Sequence, residues 1–204
     1  MPMSHKDLVK AIQNSDGAIF DKLVAEAGQP SLNSASFKGA QIGAMRIHTV
    51  DCTNTEWEAC IFDGTTFDGV VLEGAFFNGC TFHDCTFRNI ASFADAAFDG
   101  CVWQKSCIAD PAGDLEGTEL TNCQFKDCTL QNLHFAEGTL QSLTFNGGRL
   151  ANLGGDAEVK SVTLRSVAVE NFDTSEMTLS NCTASGCENL PKGFVACEGR
   201  RRRV

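Results

Sequence analysis

Eleven cysteines, four histidines and twenty-six acidic residues are the side chains in this 204-residue sequence with chemistry to offer. Clustered thiols hold zinc, a histidine beside a carboxylate moves protons, and massed carboxylates attract basic partners. Spacing decides among these. No Cys-x-x-Cys pair occurs, and Cys80 with Cys85, Cys123 with Cys128 and Cys182 with Cys187 stand five apart. Cys60, Cys80, Cys85, Cys101, Cys123, Cys128, Cys182 and Cys187 all take one place in a five-residue pattern, where a thiol serves as a small apolar filler. The odd cysteine total, and an N-terminus without an apolar signal segment, argue against a disulfide framework. His5, His48, His83 and His134 are scattered, the last three at outward positions on different coils or faces. No carboxylate is spaced to meet a base or nucleophile, and Gly147-Gly148 and Gly154-Gly155 lack the Lys-Ser/Thr of a phosphate loop. No catalytic residue, metal ligand or cofactor is therefore expected.

The elements that position these side chains follow from a strict period. A large residue recurs at Phe37, Ile42, Ile47, Cys52, Trp57, Phe62, Phe67, Leu72, Phe77, Phe82 and Phe87, with a small or modest one two places earlier, from Ala35 to Cys85. Helices space apolar residues by three and four and strands by two, so a period of five is neither. Two inward residues on a short extended piece, then a turn, make one side of a square. Four sides close a coil of about twenty residues, and coils stack at about 4.8 Å. One extra residue enters near Ile90, after which the centres are Phe93, Phe98, Trp103 and Ile108. The pattern is lost over 109–117, where Pro111 and Gly113 predict a loop, and resumes from Leu120 to Leu150. It breaks again near 154–158 and continues more weakly through Leu164, Val169, Thr174, Leu179 and Ala184.

Ala35-Ser36-Phe37-Lys38-Gly39, Cys60-Ile61-Phe62-Asp63-Gly64 and Cys80-Thr81-Phe82-His83-Asp84 resemble the A-(D/N)-L-x-x unit of the pentapeptide-repeat family. The resemblance covers roughly 35–190 and implies an all-β fold, a right-handed quadrilateral parallel β-helix. Phe replaces Leu at many centres, and Cys or Thr often replaces Ala.

Ahead of the repeat, residues 1–30 read as a helical cap over the open end of the solenoid. Ser4 with Asp7 resembles a capping box, Leu8 and Ile12 share a helical face, and Gly17 interrupts. Ile19, Phe20, Leu23 and Val24 form a second stripe before Gly28 and Pro30. The β-helix is expected over 31–190, and 191–204 as a C-terminal cap with a basic tail at 200–203. Leu190, Pro191, Phe194 and Val195 are candidates to cover that end. No apolar run is long enough for a membrane helix, and a cytoplasmic protein is expected.

Charge is unevenly placed. Residues 51–119 hold thirteen acids against Arg88 and Lys105, a net of −11 where the whole chain has −10. Glu56, Glu58, Asp63, Asp68, Glu73, Asp84, Asp95, Asp99, Asp110, Asp114 and Glu116 are the expected partner-binding residues. Two readings stand. Some pentapeptide-repeat proteins resemble duplex DNA in diameter and charge and occupy the DNA-binding saddle of type II topoisomerases. That resemblance implies a protein partner such as DNA gyrase or another basic protein, no direct nucleic-acid binding, and a homodimer joined end to end. Alternatively the rod is a scaffold or adaptor of the kind associated with secretion systems, docking through the outward residues Ile61, Val71, Phe76 and Val102.

Overall fold

The computed structural model describes residues 5–27 and 30–197. Two helices, α1 (His5–Gln13) and α2 (Gly17–Ala27), precede a stack of short parallel strands. Three walls are continuous sheets. Wall one has eight strands, from Ser36–Lys38 to Thr178–Ser180, wall two has nine, from Gln41–Ile42 to Val195–Ala196, and wall three has seven, from Arg46–His48 to Ala168–Phe172. Wall four begins as single bridges, Ser31 to Asp51 to Val71 to Ser92, so the coil is four-sided although only three sides form full strands.

Each wall presents one central residue inward and its neighbours outward, the alternation of a strand. Phe37, Trp57, Phe77 and Phe98 pair in register on wall one, and Phe62, Phe82, Trp103, Phe125 and Phe145 on wall two, all buried. Their rings stack face to face along the bore, with centroids 3.9 Å apart for Phe37 and Trp57 and 4.0 Å for Phe82 and Trp103. Parallel in-register pairing brings like residues one strand spacing apart, and that spacing suits ring stacking.

The corners explain the period. Each wall-to-wall turn is made by a residue at positive φ, repeating five residues apart: Asn54, Ala59, Gly64, Gly69, Gly74, Gly79, Asp84 and Asn89. This left-handed conformation disfavours most L-residues, and the sequence answers with Gly, Asn and Asp. On the corner after wall three the asparagines form a ladder in which Asn152 donates to Asn132 at 2.7 Å and Asn171 to Asn152 at 3.0 Å.

Irregular coils keep the bore filled. Phe77 pairs with Phe98 and Phe98 with Leu120, so one residue and then two are absorbed outside the sheets. The second insertion falls in 109–117, the segment expected to be a loop, and beyond Ala109 it forms no strand before Glu119. Leu115 is buried at the wall-four centre, its N–H donates to the His134 carbonyl at 2.7 Å, and the Ala112 N–H donates to Ile90 at 2.8 Å. The chain stays bonded to the coils on both sides. Near 154–158 a residue is missing instead, since Leu140 pairs with Val159. There Gly155 faces the wall-four centre at φ 123°, where any Cβ would lie 2.1 Å from the Phe135 carbonyl oxygen.

The helices close the first coil. Leu8, Ala11, Ile12 and Phe20 are buried, Ser15 Oγ donates to the Gln41 carbonyl at 3.1 Å and accepts from the Gly43 N–H at 2.8 Å. At the other end Pro191 and Phe194 are buried, whereas Leu190 and Val195 are exposed, the latter because Val195–Ala196 adds an edge strand to wall two. Ser4, Gly28 and the arginines at 200–203 lie outside the described residues.

Candidate functional site

With the bore filled by apolar side chains, the outer walls and corners carry what chemistry the molecule has. Eight of the eleven thiols are buried in the bore, whereas Cys107 and Cys187 are partly exposed and Cys197 is exposed. Cys60, Cys80, Cys101 and Cys123 stack in one column, and each donates to the main-chain carbonyl of a wall-one centre one coil back, as Cys80 does to Trp57 at 3.2 Å. Burial pushes the Cys85 thiol up to about 11, and burial with the Asp51 charge pushes Cys52 higher still. Cys52 and Cys85 therefore stay protonated and are neither nucleophiles nor ready ligands.

The eleven acids expected to form a binding surface are spread around the circumference. Glu56, Glu58 and Asp99 stand on wall one, Asp63 on wall two, Asp68 on wall three, and Glu73, Asp114 and Glu116 on wall four. Asp84, Asp95 and Asp110 are corner residues at φ of 49°, 55° and 50°, so the backbone itself gives a reason for an aspartate there.

Asp68 departs from its expected role. It is buried, with a side chain only 8% exposed, and accepts from Arg88 Nη2 at 2.9 Å, Arg46 Nη2 at 2.7 Å and Asn89 Nδ2 at 2.9 Å. The Asn89 amide first, then Arg88 and Arg46, hold its carboxyl below the usual range against the desolvation that raises it. A charge neutralised this way clamps three coils of wall three and offers nothing to a partner. Glu58 is also paired, with Lys38 at 2.8 Å across the exposed surface.

Pairing leaves one side of the column uncompensated. Wall four, the corner after it and the first outward column of wall one carry Glu56, Glu73, Asp95, Glu116, Glu119 and Glu137. Between residues 51 and 158 no lysine or arginine of the described residues stands in these columns. Arg46, Arg88 and Arg149 lie on wall three, Lys126 and Arg165 on wall two. Linear spacing concealed this asymmetry, because a column neighbour is about twenty residues away in sequence.

The outward apolar residues also fall into place. Ile61 and Val102 are 44% and 40% exposed on one column of wall two, with Thr81 between them in register, and Phe76 is 41% exposed on wall one beside Glu56. Val71, on wall four, is half-buried.

The histidines require a correction, for each of three lies against a carboxylate. His48 Nε2 is 3.0 Å from Asp21 on α2, and His134 Nδ1 is 3.4 Å from Asp114. His83 Nδ1 is 2.7 Å from Asp63 Oδ1 and 3.4 Å from Asp84 Oδ2. The signal was present in the sequence as an interval of twenty between residues 63 and 83, which is one coil.

Filled bore, four walls and left-handed corners every fifth residue define a pentapeptide-repeat β-helix. Residues 62–106 match the family model described as pentapeptide repeats (9 copies). Among solved structures, trypsin-treated QnrB1, a plasmid-mediated fluoroquinolone resistance protein, superposes with a TM-score of 0.64 at 14% identity, covering 85% of this chain and 88% of that one. At that identity the likeness shows the fold alone. Full-length QnrB1 (17% identity, 83% and 94% covered, TM-score 0.36) also matches. So does HetL, a pentapeptide-repeat protein involved in heterocyst differentiation regulation from Nostoc sp. strain PCC 7120 (13% identity, 76% and 82% covered, TM-score 0.30). These two scores are too low to carry an argument. No curated protein matches the sequence.

Proposed function

We propose that this protein is a non-catalytic binder that works through its outer surface, and that its partner is the DNA-binding saddle of a type II topoisomerase such as DNA gyrase. The observation that carries this reading is the uncompensated acidic side formed by wall four and the adjacent column of wall one. Eight strands on wall one give a rod roughly 34 Å long at the usual strand spacing. Its carboxylates, held on stiff walls, repel nucleic acid and present a fixed negative field to a basic groove. The resemblance of the fold to a fluoroquinolone resistance protein is consistent with that partner.

The test is a gyrase supercoiling and cleavage assay, with and without a quinolone, at increasing protein. Changed supercoiling, or fewer cleavage complexes, supports the reading, and no change at any concentration removes it. The second reading, a scaffold or adaptor, is favoured by the exposed Ile61 and Val102 column on wall two, which lies apart from the acidic side. Under that reading Val102→Asp abolishes capture of the partner while Glu73→Lys and Glu116→Lys leave it intact.

A further inference from the structure

We propose that Asp63, His83 and Asp84 form a binding site for a divalent transition metal of the zinc, cobalt and nickel class. The site stands apart from the reading above, since it needs no protein partner. One ligand atom from each residue lies within 4.8 Å of the other two. The imidazole nitrogen is 2.7 Å from one carboxylate oxygen and 3.4 Å from the other. Ligand bonds of about 2.1 Å put adjacent ligand atoms about 3.0 Å apart in octahedral geometry and about 3.4 Å apart in tetrahedral geometry. Both imidazole–carboxylate distances therefore stand within a few tenths of an ångström of ligand–ligand spacings before any metal arrives, and the two carboxylate oxygens lie within 4.8 Å of each other.

The fold holds them there. Asp63 and His83 are register partners on adjacent wall-two strands. Asp84 is the next residue, at the left-handed corner, and its N–H is tied to the Gln104 carbonyl at 3.0 Å. A mixed imidazole and carboxylate set suits first-row transition metals, whereas calcium and magnesium take oxygen ligands alone. Binding at Nδ1 selects the His83 tautomer with its proton on Nε2. It also replaces the histidine–aspartate hydrogen bond with two carboxylate ligands that offset the cation's charge. Open coordination positions face solvent, since His83 and both aspartates are partly exposed.

The experiment is calorimetric titration of zinc chloride and of cobalt chloride into the full chain, tag removed, reduced, and carrying Cys197→Ser to delete the exposed thiol. One saturable site is expected. His83→Ala, Asp63→Asn and Asp84→Asn each weaken it by at least about tenfold, the scale on which metal sites lose affinity when a ligand's support is removed. The cobalt complex shows d–d absorption without a thiolate charge-transfer band. Manganese broadens the NMR imidazole signals of His83 and spares His5, His48 and His134, a readout on the unsubstituted histidines that does not depend on a variant folding. Absence of saturable binding, affinity unchanged in His83→Ala, or a thiolate band overturns the proposal.

Discussion

Asp68 is ionised but fully paired in the fold, and its behaviour with pH follows. Its carboxyl titrates below the unfolded value because Asn89, Arg88 and Arg46 favour the ionised form. The stability it contributes is therefore present above the unfolded pKa of about 3.9 and is lost as pH falls through the folded value. Asp68→Asn is expected to cost about 2 kcal/mol at pH 7, less than a fully buried pair because both arginines are half exposed. The cost should shrink as pH falls below the unfolded value of about 3.9, as read from urea melts at pH 7 and at acid pH. Glycines divide in the same local way. Gly79 and Ala59 occupy equivalent left-handed corners, and a Cβ on Gly79 meets nothing within 4 Å. Gly79→Ala should cost about 1 kcal/mol. A Cβ on Gly148, at φ 83°, falls 2.1 Å from the Cys128 carbonyl oxygen, so Gly148→Ala must move backbone and should cost well over twice as much. Thermal melts of the two variants compare them directly.

At the scale of the element, the bore has two textures. Rings fill it as far as Trp103 and Phe125, while leucines and valines dominate beyond Leu120. Leu130, Leu140, Leu143 and Leu153, together with Phe135 and Phe145, help to enclose an apolar void of about 20 Å³. Phe82 touches Phe62, Phe77, Phe87 and Trp103, so Phe82→Ala should destabilise by about 3–5 kcal/mol, measured by chemical denaturation. The helices are a second element with a definite task. Removing 1–27 uncovers the first coil at Ile42, Met45 and Ile47, and the expected outcome is dye binding to exposed apolar surface and self-association in light scattering.

For the whole molecule, charge matters through its distribution. If the acidic side engages a basic groove, Glu73→Lys with Glu116→Lys weakens gyrase binding by at least about tenfold, and raising salt from 50 to 300 mM weakens the wild type steeply. Glu170→Gln, on wall three beside Arg149, should leave binding unchanged. Fluorescence anisotropy across a salt series measures all three. Equal effects from both sets would point to net charge and remove the acidic side as the contact surface.

Bore residues such as Phe62, Cys80 and Leu120 were legible in the sequence, because a period of five is imposed by the coil itself and recurs wherever the chain turns. The helical cap was legible too, from apolar residues at helical spacing. Two facts needed the tertiary structure: that Asp68 sits between two arginines, and that Asp63 and Asp84 converge on His83. Both arise from contacts between coils, where neighbours in space lie about twenty residues apart. Insertions at 90 and 109–117 and the deletion near 156 shift that interval coil by coil. Periodicity along the chain determines which residues face inward. Only the register between coils decides which outward charges meet, because it is set by how each insertion is absorbed at a corner.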